Sequence, residues 1–96
     1  MEIGLLGATG PAGRALAARL AAVGHDVVLG SRSKYRAMEV RDEIVERWRD
    51  RDLAIRSADN AGAADAEVVV IATPWDAAAA TARSVADHLH RKVVVC

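Results

Sequence analysis

Short apolar runs alternate with longer helical patterns along the chain. Residues Ile3–Leu6 form a brief apolar run, which predicts a first strand. A helix is predicted over residues 11–23, where Leu16, Leu20 and Val23 recur at helical spacing and would form its buried face. The glycine that follows is in the usual position for a helix C-terminus. The chain therefore begins with a strand–helix unit.

The same alternation continues through the middle of the chain. Val27–Gly30 is predicted as a second strand, and an amphipathic helix is predicted over residues 35–49. The apolar positions of this helix form one predicted buried stripe: Ala37, Val40, Ile44 and Trp48. Leu53–Ser57 alternates apolar and polar residues, as a half-exposed edge strand would.

A second set of elements is predicted in the last third of the chain. Residues 60–66 are small and predict a short helix or turn, and Val68–Ile71 is an apolar run suited to a strand buried on both faces. Asp76 is expected to cap a helix that reaches His88, and Val93–Val95 is the last predicted strand. The core face of this last helix is expected to consist of Ala78, Ala82, Val85 and Leu89.

Strands alternating with helices predict an α/β fold with a parallel sheet and right-handed crossovers. We expect a Rossmann-type doubly wound sheet of about five strands in the order 3-2-1-4-5, formed by one domain over residues 1–96. The sequence stops at Cys96, in or just after the fifth strand and without a further covering helix. We therefore expect an N-terminal part of a longer protein, with open sheet edges at the third and fifth strands.

Composition narrows the possible functions. The chain is 52% hydrophobic and 27% charged, which excludes a disordered segment. Thirteen basic and thirteen acidic residues give a formal net charge of zero, which argues against a nucleic-acid-binding protein. The absence of a long apolar run predicts a cytoplasmic protein that does not bind membranes. The single cysteine, Cys96, offers neither an internal disulfide nor a thiolate metal site, and we nominate no metal ligand.

A glycine-rich loop connects the first strand to the first helix. Its spacing is G-x-x-G-x-x-G, a close variant of the dinucleotide-binding fingerprint. Gly7 would permit the sharp turn out of the strand, Gly10 would let the backbone approach a pyrophosphate, and Gly13 would bring helix and strand together. The N–H groups at the start of the helix would bind the phosphates. The residues predicted to bind the nucleotide here are Gly7, Thr9, Gly10, Pro11, Ala12 and Gly13.

The end of the second strand indicates which dinucleotide is bound. An NAD site usually has a carboxylate about 20 residues after the glycines, but none occurs between Asp26 and Glu39. A hydroxyl and a guanidinium can instead bind a 2′-phosphate through charge-assisted hydrogen bonds. Ser31 and Arg32 are therefore the predicted 2′-phosphate ligands, with Arg36 or Lys34 closing over them, and the predicted cofactor is NADP(H).

The turn after the fourth strand is predicted to line the ribose–nicotinamide side of the cleft. Ligands of open α/β sheets bind at the carboxyl ends of the strands, where the strand order reverses. Thr73, Pro74 and Trp75 follow the fourth strand there. Two interpretations of Trp75 are open: it forms a wall of the pocket, or it fills a gap between loop and helix. Trp48 is interpreted as a core residue.

Together these segments resemble the coenzyme F420-dependent NADP oxidoreductases. The resemblance runs along the whole chain and is most specific in the G-S-R turn and the T-P-W turn. A proline at position 11 differs from the polar residue frequent in related enzymes. The segments that carry the resemblance are residues 6–13, 24–26, 30–32 and 73–75.

The resemblance implies hydride exchange between NADPH and the deazaflavin coenzyme F420. It implies pyrophosphate binding by the glycine loop, 2′-phosphate binding by Ser31 and Arg32 with help from Arg36, and nicotinamide contacts at residues 73–75. It also implies a further, mostly helical domain that would contact F420 and form a homodimer. Hydride transfer between two ring cofactors needs close approach rather than an acid or base, so we nominate no catalytic residue.

Two alternatives are left open. The same kind of domain also begins NADP-dependent reductases with another acceptor, such as an imine, a hydroxyacid or a metal ion. A non-catalytic module that senses NADP would likewise need the glycine loop and the residues at 31 and 32, but no hydride acceptor. We expect the 96 residues alone to be inactive in hydride transfer.

Overall fold

The computed structural model describes residues 1–90 and 92–95; Arg91 and Cys96 lie outside the described residues. The sheet contains β1 (Glu2–Leu6), β2 (Asp26–Ser31), β3 (Ile55–Asp59), β4 (Val68–Ile71) and β5 (Val93–Val95). The α-helices are α1 (Pro11–Ala22), α2 (Lys34–Arg47), α3 (Asn60–Ala63) and α4 (Ala78–Ser84). Short 3-10 turns span Arg49–Arg51, Trp75–Ala77 and Ala86–His88.

The five strands are parallel and lie in the order β3-β2-β1-β4-β5, which confirms the predicted topology. The strand order reverses between β1 and β4, because β1, β2 and β3 run outward in one direction and β4 pairs on the other side of β1. Gly4 pairs with Val28 on one side and Val69 on the other, so β1 is the centre of the sheet. The reversal creates a cleft at the carboxyl ends of these strands.

Both faces of the sheet are covered by apolar clusters. One cluster joins β1 and β2 to α1 and α2 and includes Leu5, Leu29 and Val40. The other joins the sheet to α3 and the segment after β4, and includes Leu6 and Val85. Successive residues of β4 alternate between the two clusters, as the prediction of a strand covered on both faces requires. At the edge of the sheet, the three valines of β5 are exposed.

The predicted buried face of α1 is wrong for Val23 and correct only in part for Leu16 and Leu20. Its fully buried residues are small: Gly13, Ala17, Ala18 and Ala21. Leu16 and Leu20 are only partly buried against the cluster, and Val23 is exposed beyond the end of the helix. Small residues let the helix axis lie close to the sheet, which moves the leucines to the flank of the contact. Helical spacing alone does not distinguish these two adjacent faces.

Two further predictions of the helix boundaries need correction. Helix α2 ends at Arg47, so Trp48 leaves the buried stripe and is 39% exposed rather than part of the core. Asp76 does not cap α4, because Pro74 is followed by a 3-10 turn and the cap position of α4 is Ala77. The predicted helix does not reach His88, because α4 ends at Ser84. The residues predicted as its core face still contact the apolar cluster that includes Leu6: Val85, just after the helix, is buried, and Ala78, Ala82 and Leu89 are partly buried.

Gly4 provides a test of how closely α3 packs on β1. A Cβ at Gly4 would lie 1.8 Å from the carbonyl oxygen of Ala63, so a side chain cannot be added without moving α3. We expect Gly4→Ala to lower the free energy of unfolding by about 2 kcal/mol or more. Urea denaturation followed by circular dichroism measures this change.

The matched control is Gly10→Ala, where no described atom lies within 4 Å of the added Cβ. Gly10 has an extended backbone, with φ −79°, that any residue adopts. Its substitution is expected to change the free energy of unfolding by no more than about 1 kcal/mol. Equal stability of the two variants would contradict the close packing of α3 on β1.

Candidate nucleotide-binding site

Three turns at the carboxyl ends of the strands carry the predicted site residues. They follow β1, β2 and β4, which are neighbours in the sheet. Two backbone hydrogen bonds connect the turns to adjacent strands: Ala8 N–H donates to the Gly30 carbonyl at 2.9 Å, and Ala72 N–H donates to the Leu6 carbonyl at 2.9 Å. The fold therefore places the three predicted segments at one edge of the sheet.

The three glycines of the first turn have different structural roles. Gly7 has φ +62°, and a Cβ there would lie 2.1 Å from Thr73 Cγ2, so both backbone conformation and space require glycine. A Cβ at Gly13 would lie 2.5 Å from the Cα of Ala8, so glycine lets α1 begin close to the loop. At Gly10 the space is open. Gly10 is thus the position where a ligand can approach the backbone.

The start of α1 has the features of an anion site. Gly10 is the N-cap and has no side chain to bind the free N–H groups of the first turn. Pro11 occupies the first helical position, and Pro11 and Ala12 are exposed. The first turn contains no carboxylate, so its partial positive charge is not neutralised from within the helix. These properties fit a phosphate group.

Arg14 supports the loop, a role that the sequence interpretation missed. Its Nε donates to the carbonyl of Thr9 at 2.9 Å, and its Nη1 is 2.7 Å from Glu43 Oε2 on α2. The guanidinium thus connects the loop, α1 and α2. The sequence shows an arginine one turn into the predicted helix. It does not show that this arginine pairs with Glu43, which lies 29 residues away.

The turn after β2 places a hydroxyl and a guanidinium next to each other. Ser31 ends β2 and is 7% exposed, and its Oγ accepts a hydrogen bond from Ser33 N–H at 3.3 Å. The Ser31 hydroxyl still has its proton to donate to a phosphate oxygen. Arg32 is exposed, and Ser33 caps α2 by accepting from the N–H of Arg36 at 3.3 Å. The turn therefore provides donors at the predicted 2′-phosphate position.

Two cations near this turn have partners on α2 itself. The Arg36 guanidinium forms an ion pair with Glu39, one turn further along the helix. The ammonium of Lys34 lies 5.4 Å from the centre of the Tyr35 ring. Arg36 would have to share its charge between Glu39 and a phosphate, whereas Lys34 is directed over an exposed aromatic ring.

The turn after β4 contains a buried hydroxyl and an exposed indole. Thr73 Oγ1 is buried and has no hydrogen-bond partner among the described residues. Pro74 is exposed, and Trp75, in the 3-10 turn that follows, is 89% exposed. An indole with this exposure does not fill a gap between loop and helix, so that interpretation of Trp75 is wrong. The side chain is available to a ligand at the edge of the cleft.

A groove of about 980 Å³ runs between α1 and α2. Only Thr9, Pro11 and Arg36 among its lining residues belong to the predicted site, and the groove extends along the helices to Trp48. The open helix N-terminus and the predicted 2′-phosphate donors lie in the three turns instead. The groove volume does not coincide with those groups.

Among the described residues, one carboxyl group has a shifted pKa, and it lies away from the three turns. A hydrogen bond with His88, whose Nδ1 is 3.0 Å from Asp65 Oδ1, holds the pKa of Asp65 below its ordinary value. The charges of His88 and Lys92 act in the same direction, while desolvation opposes them. Asp65 precedes β4 and therefore lies at the amino edge of the sheet.

No described helix is long and apolar enough to cross a membrane.

Comparison with known proteins identifies relatives along the whole chain. Residues 2–96 match the family described as "NADP oxidoreductase coenzyme F420-dependent". The F420-dependent NADP reductase of Methanothermobacter marburgensis is 38% identical over 96 residues, which are 99% of this chain and 43% of that protein. The chain therefore spans less than half the length of this curated relative.

Solved structures share the fold. A candidate F420-dependent NADP-reductase from Arthrobacter sp. FB24 is 32% identical, with a TM-score of 0.74, over 96% of this chain and 42% of that chain. Synechocystis arogenate dehydrogenase is 25% identical, with a TM-score of 0.73, over 98% of this chain and 31% of that chain. The same architecture thus occurs in dehydrogenases with different substrates.

The open space at Gly10 generates a test of the site. We expect Gly10→Ala to weaken NADPH binding about tenfold or more, because a methyl group would occupy the space where a phosphate meets the backbone. Quenching of tryptophan fluorescence during NADPH titration measures the affinity, and the unfolding curve of the same variant is the control. An unchanged affinity in the folded variant would exclude Gly10 from the phosphate site.

Proposed function

The chain belongs to the coenzyme F420-dependent NADP oxidoreductase family, and from this premise we propose that residues 1–96 form the NADP(H)-binding domain of an enzyme that exchanges hydride between NADPH and coenzyme F420. The observation that carries the proposal is the open N-terminus of α1 at Gly10, at the same sheet edge as the donors Ser31 and Arg32. An anion site and a second phosphate site at one edge fit a dinucleotide phosphate.

The pyrophosphate is proposed to bind the glycine loop and the first turn of α1. Gly10 leaves room for the pyrophosphate. The backbone N–H groups of Ala12 and Gly13 lie in the first turn of α1, where they have no acceptor within the helix. Thr9 forms the outer part of the loop, where Arg14 fixes its carbonyl. Gly7 sets the direction in which the loop leaves β1. These residues position the nucleotide and do not themselves react.

The 2′-phosphate is proposed to bind Ser31 and Arg32. The Ser31 hydroxyl is held by Ser33 and would donate its proton to a phosphate oxygen. The exposed guanidinium of Arg32 would form a charge-assisted pair. Arg36 would add a second positive charge, weakened by its pair with Glu39. A nucleotide without the 2′-phosphate would leave these donors without an anionic partner.

Thr73, Pro74 and Trp75 are proposed to line the nicotinamide side. Thr73 packs its methyl group against Gly7, and its buried Oγ1 has no hydrogen-bond partner among the described residues. We propose that this hydroxyl binds a polar group of the cofactor. The exposed indole of Trp75 would shield one side of the ring from water. When bound, NADP(H) supplies the hydride; the residues of this chain hold it in place and contribute to excluding water.

The remainder of the proposal concerns the whole enzyme. The chain covers 43% of its curated relative. F420 binding and a homodimer contact, which the family resemblance implies, are proposed for a further domain. We propose a cytoplasmic enzyme with small-molecule cofactors as its partners. The 96 residues are proposed to bind NADPH without transferring hydride to F420.

Selectivity for the 2′-phosphate is the first test. NADPH is expected to bind at least about tenfold more tightly than NADH, and Arg32→Ala should remove most of this difference by weakening NADPH binding alone. Side-by-side fluorescence titrations measure both affinities. The matched control is Arg49→Ala. Arg49 is exposed, lies beyond the end of α2 and pairs with Glu46, so its substitution should leave both affinities unchanged. Equal binding of NADH and NADPH by the unmodified chain would contradict the NADP assignment.

The hydride acceptor requires a separate assay on the full-length enzyme. We expect NADPH to reduce F420, measured as the loss of deazaflavin absorbance. Turnover with an imine or a hydroxyacid in place of F420 would favour a reductase with another acceptor. NADPH binding without any turnover would favour an NADP-sensing module, and either result would overturn the F420 assignment.

A further inference from the structure

Asn60 connects two distant parts of the sheet edge. It is the first residue of α3, immediately after β3, and is 7% exposed. Its Oδ1 accepts a hydrogen bond from the backbone N–H of Gly7 at 3.0 Å, across 53 residues of sequence. This buried amide therefore reaches from the third strand to the turn that leaves the first.

The path between the two residues crosses the end of β2. The sheet order places β2 between β3 and β1. Asn60 directly follows β3 and Gly7 directly follows β1, so the side chain of Asn60 must cross the end of β2 to reach Gly7. Gly30 lies at that point, and a Cβ there would be 3.3 Å from Asn60 Oδ1 and 2.6 Å from Ala63 Cβ. The missing side chain at Gly30 thus makes room for both α3 and the amide of Asn60.

The hydrogen bond acts on the residue that determines where the glycine loop goes. Gly7 has φ +62° and packs against Thr73, and its N–H points to Asn60. Ala8, the next residue, donates to the carbonyl of Gly30. Two successive N–H groups of the turn are therefore fixed by the β2–α3 side of the sheet. The loop reaches Gly10 and α1 from this fixed point.

We infer that Asn60 is a positioning residue for the nucleotide: by holding Gly7 N–H, it fixes the glycine loop in the shape that presents Gly10 and the N-terminus of α1 to the pyrophosphate. The part that concerns the nucleotide rests on the proposed NADP(H) site. A preformed loop binds without the cost of ordering it, so loss of the contact should reduce affinity.

A purely structural role for Asn60 would be to stabilise α3, and Asp59 separates the two roles. Asp59 caps the same short helix, since its Oδ1 accepts from Gly62 N–H at 2.8 Å, but it is not the partner of Gly7. Asp59→Ala is therefore the matched control. It should lower the stability of the chain while leaving the Gly7 amide and NADPH affinity unchanged.

The experiment measures the Gly7 amide directly by NMR on ¹⁵N-labelled chain, together with NADPH affinity and the unfolding curve. In Asn60→Ala we expect amide hydrogen exchange at Gly7 to become about tenfold faster and NADPH affinity to fall about tenfold. Unchanged exchange and affinity in a folded Asn60→Ala chain, or equal effects in Asp59→Ala, would overturn the inference.

Asn60→Asp keeps the test decisive even if the alanine variant does not fold. A carboxyl group can accept the same hydrogen bond, so Gly7 should remain protected from exchange. The amide proton shift of Gly7 should also follow the titration of the introduced carboxyl group, a signature that stabilisation of α3 alone would not produce. A Gly7 shift that does not follow this titration would contradict the contact.

The readouts distinguish failure of this inference from failure of the proposed function. If the unmodified chain does not bind NADPH, the proposed function fails. Gly7 exchange would then still report whether Asn60 fixes the loop. If NADPH binds but Asn60→Ala has no effect on Gly7 or on affinity, only the inference fails.

Discussion

Close approach of backbone to β1 and β2 is the constraint on which the rest of the fold depends. A Cβ at Gly4 or Gly30 would collide with α3, and a Cβ at Gly7 would collide with Thr73. Because glycine has no side chain at these positions, the four-residue helix α3 lies directly on the sheet, and the turn after β4 contacts the turn after β1. The same close packing places the glycine loop beside Asn60, which follows β3, and Thr73, which follows β4. The geometry of the site is thus a consequence of backbone packing at the centre of the sheet.

The features that the sequence predicted correctly are those set by local pattern. Alternating strands and helices predicted a parallel α/β sheet, and the glycine spacing between β1 and α1 favoured the Rossmann-type order that the structure confirms. The position of Ser31 and Arg32 at the end of β2 follows from the same pattern. The loop and the turn at the end of β2 each lie within one strand–turn–helix unit, where sequence distance and spatial distance are similar.

The features that were missed depend on contacts between distant segments or on side-chain size. Trp48 has the right spacing for the core, but α2 ends at Arg47 and the indole faces a groove instead. Residues 60–66 were predicted only as a short helix or turn, and the contact of Asn60 with Gly7 appears only when three strands are placed in order. Arg14 likewise finds Glu43 on another helix. Periodicity contains no information on such pairs.

A net charge of zero conceals how the charges are distributed around the site. Carboxylates on α2 are paired with arginines, Glu39 with Arg36 and Glu43 with Arg14, so they support the loop and the helix rather than oppose an anion. The segment between Asp26 and Glu39 contains no carboxylate. The proposed selectivity for a nucleotide with a 2′-phosphate therefore rests on where acidic residues are absent and where they are paired with arginines. The same fold in an arogenate dehydrogenase shows that the sheet architecture by itself does not define the substrate.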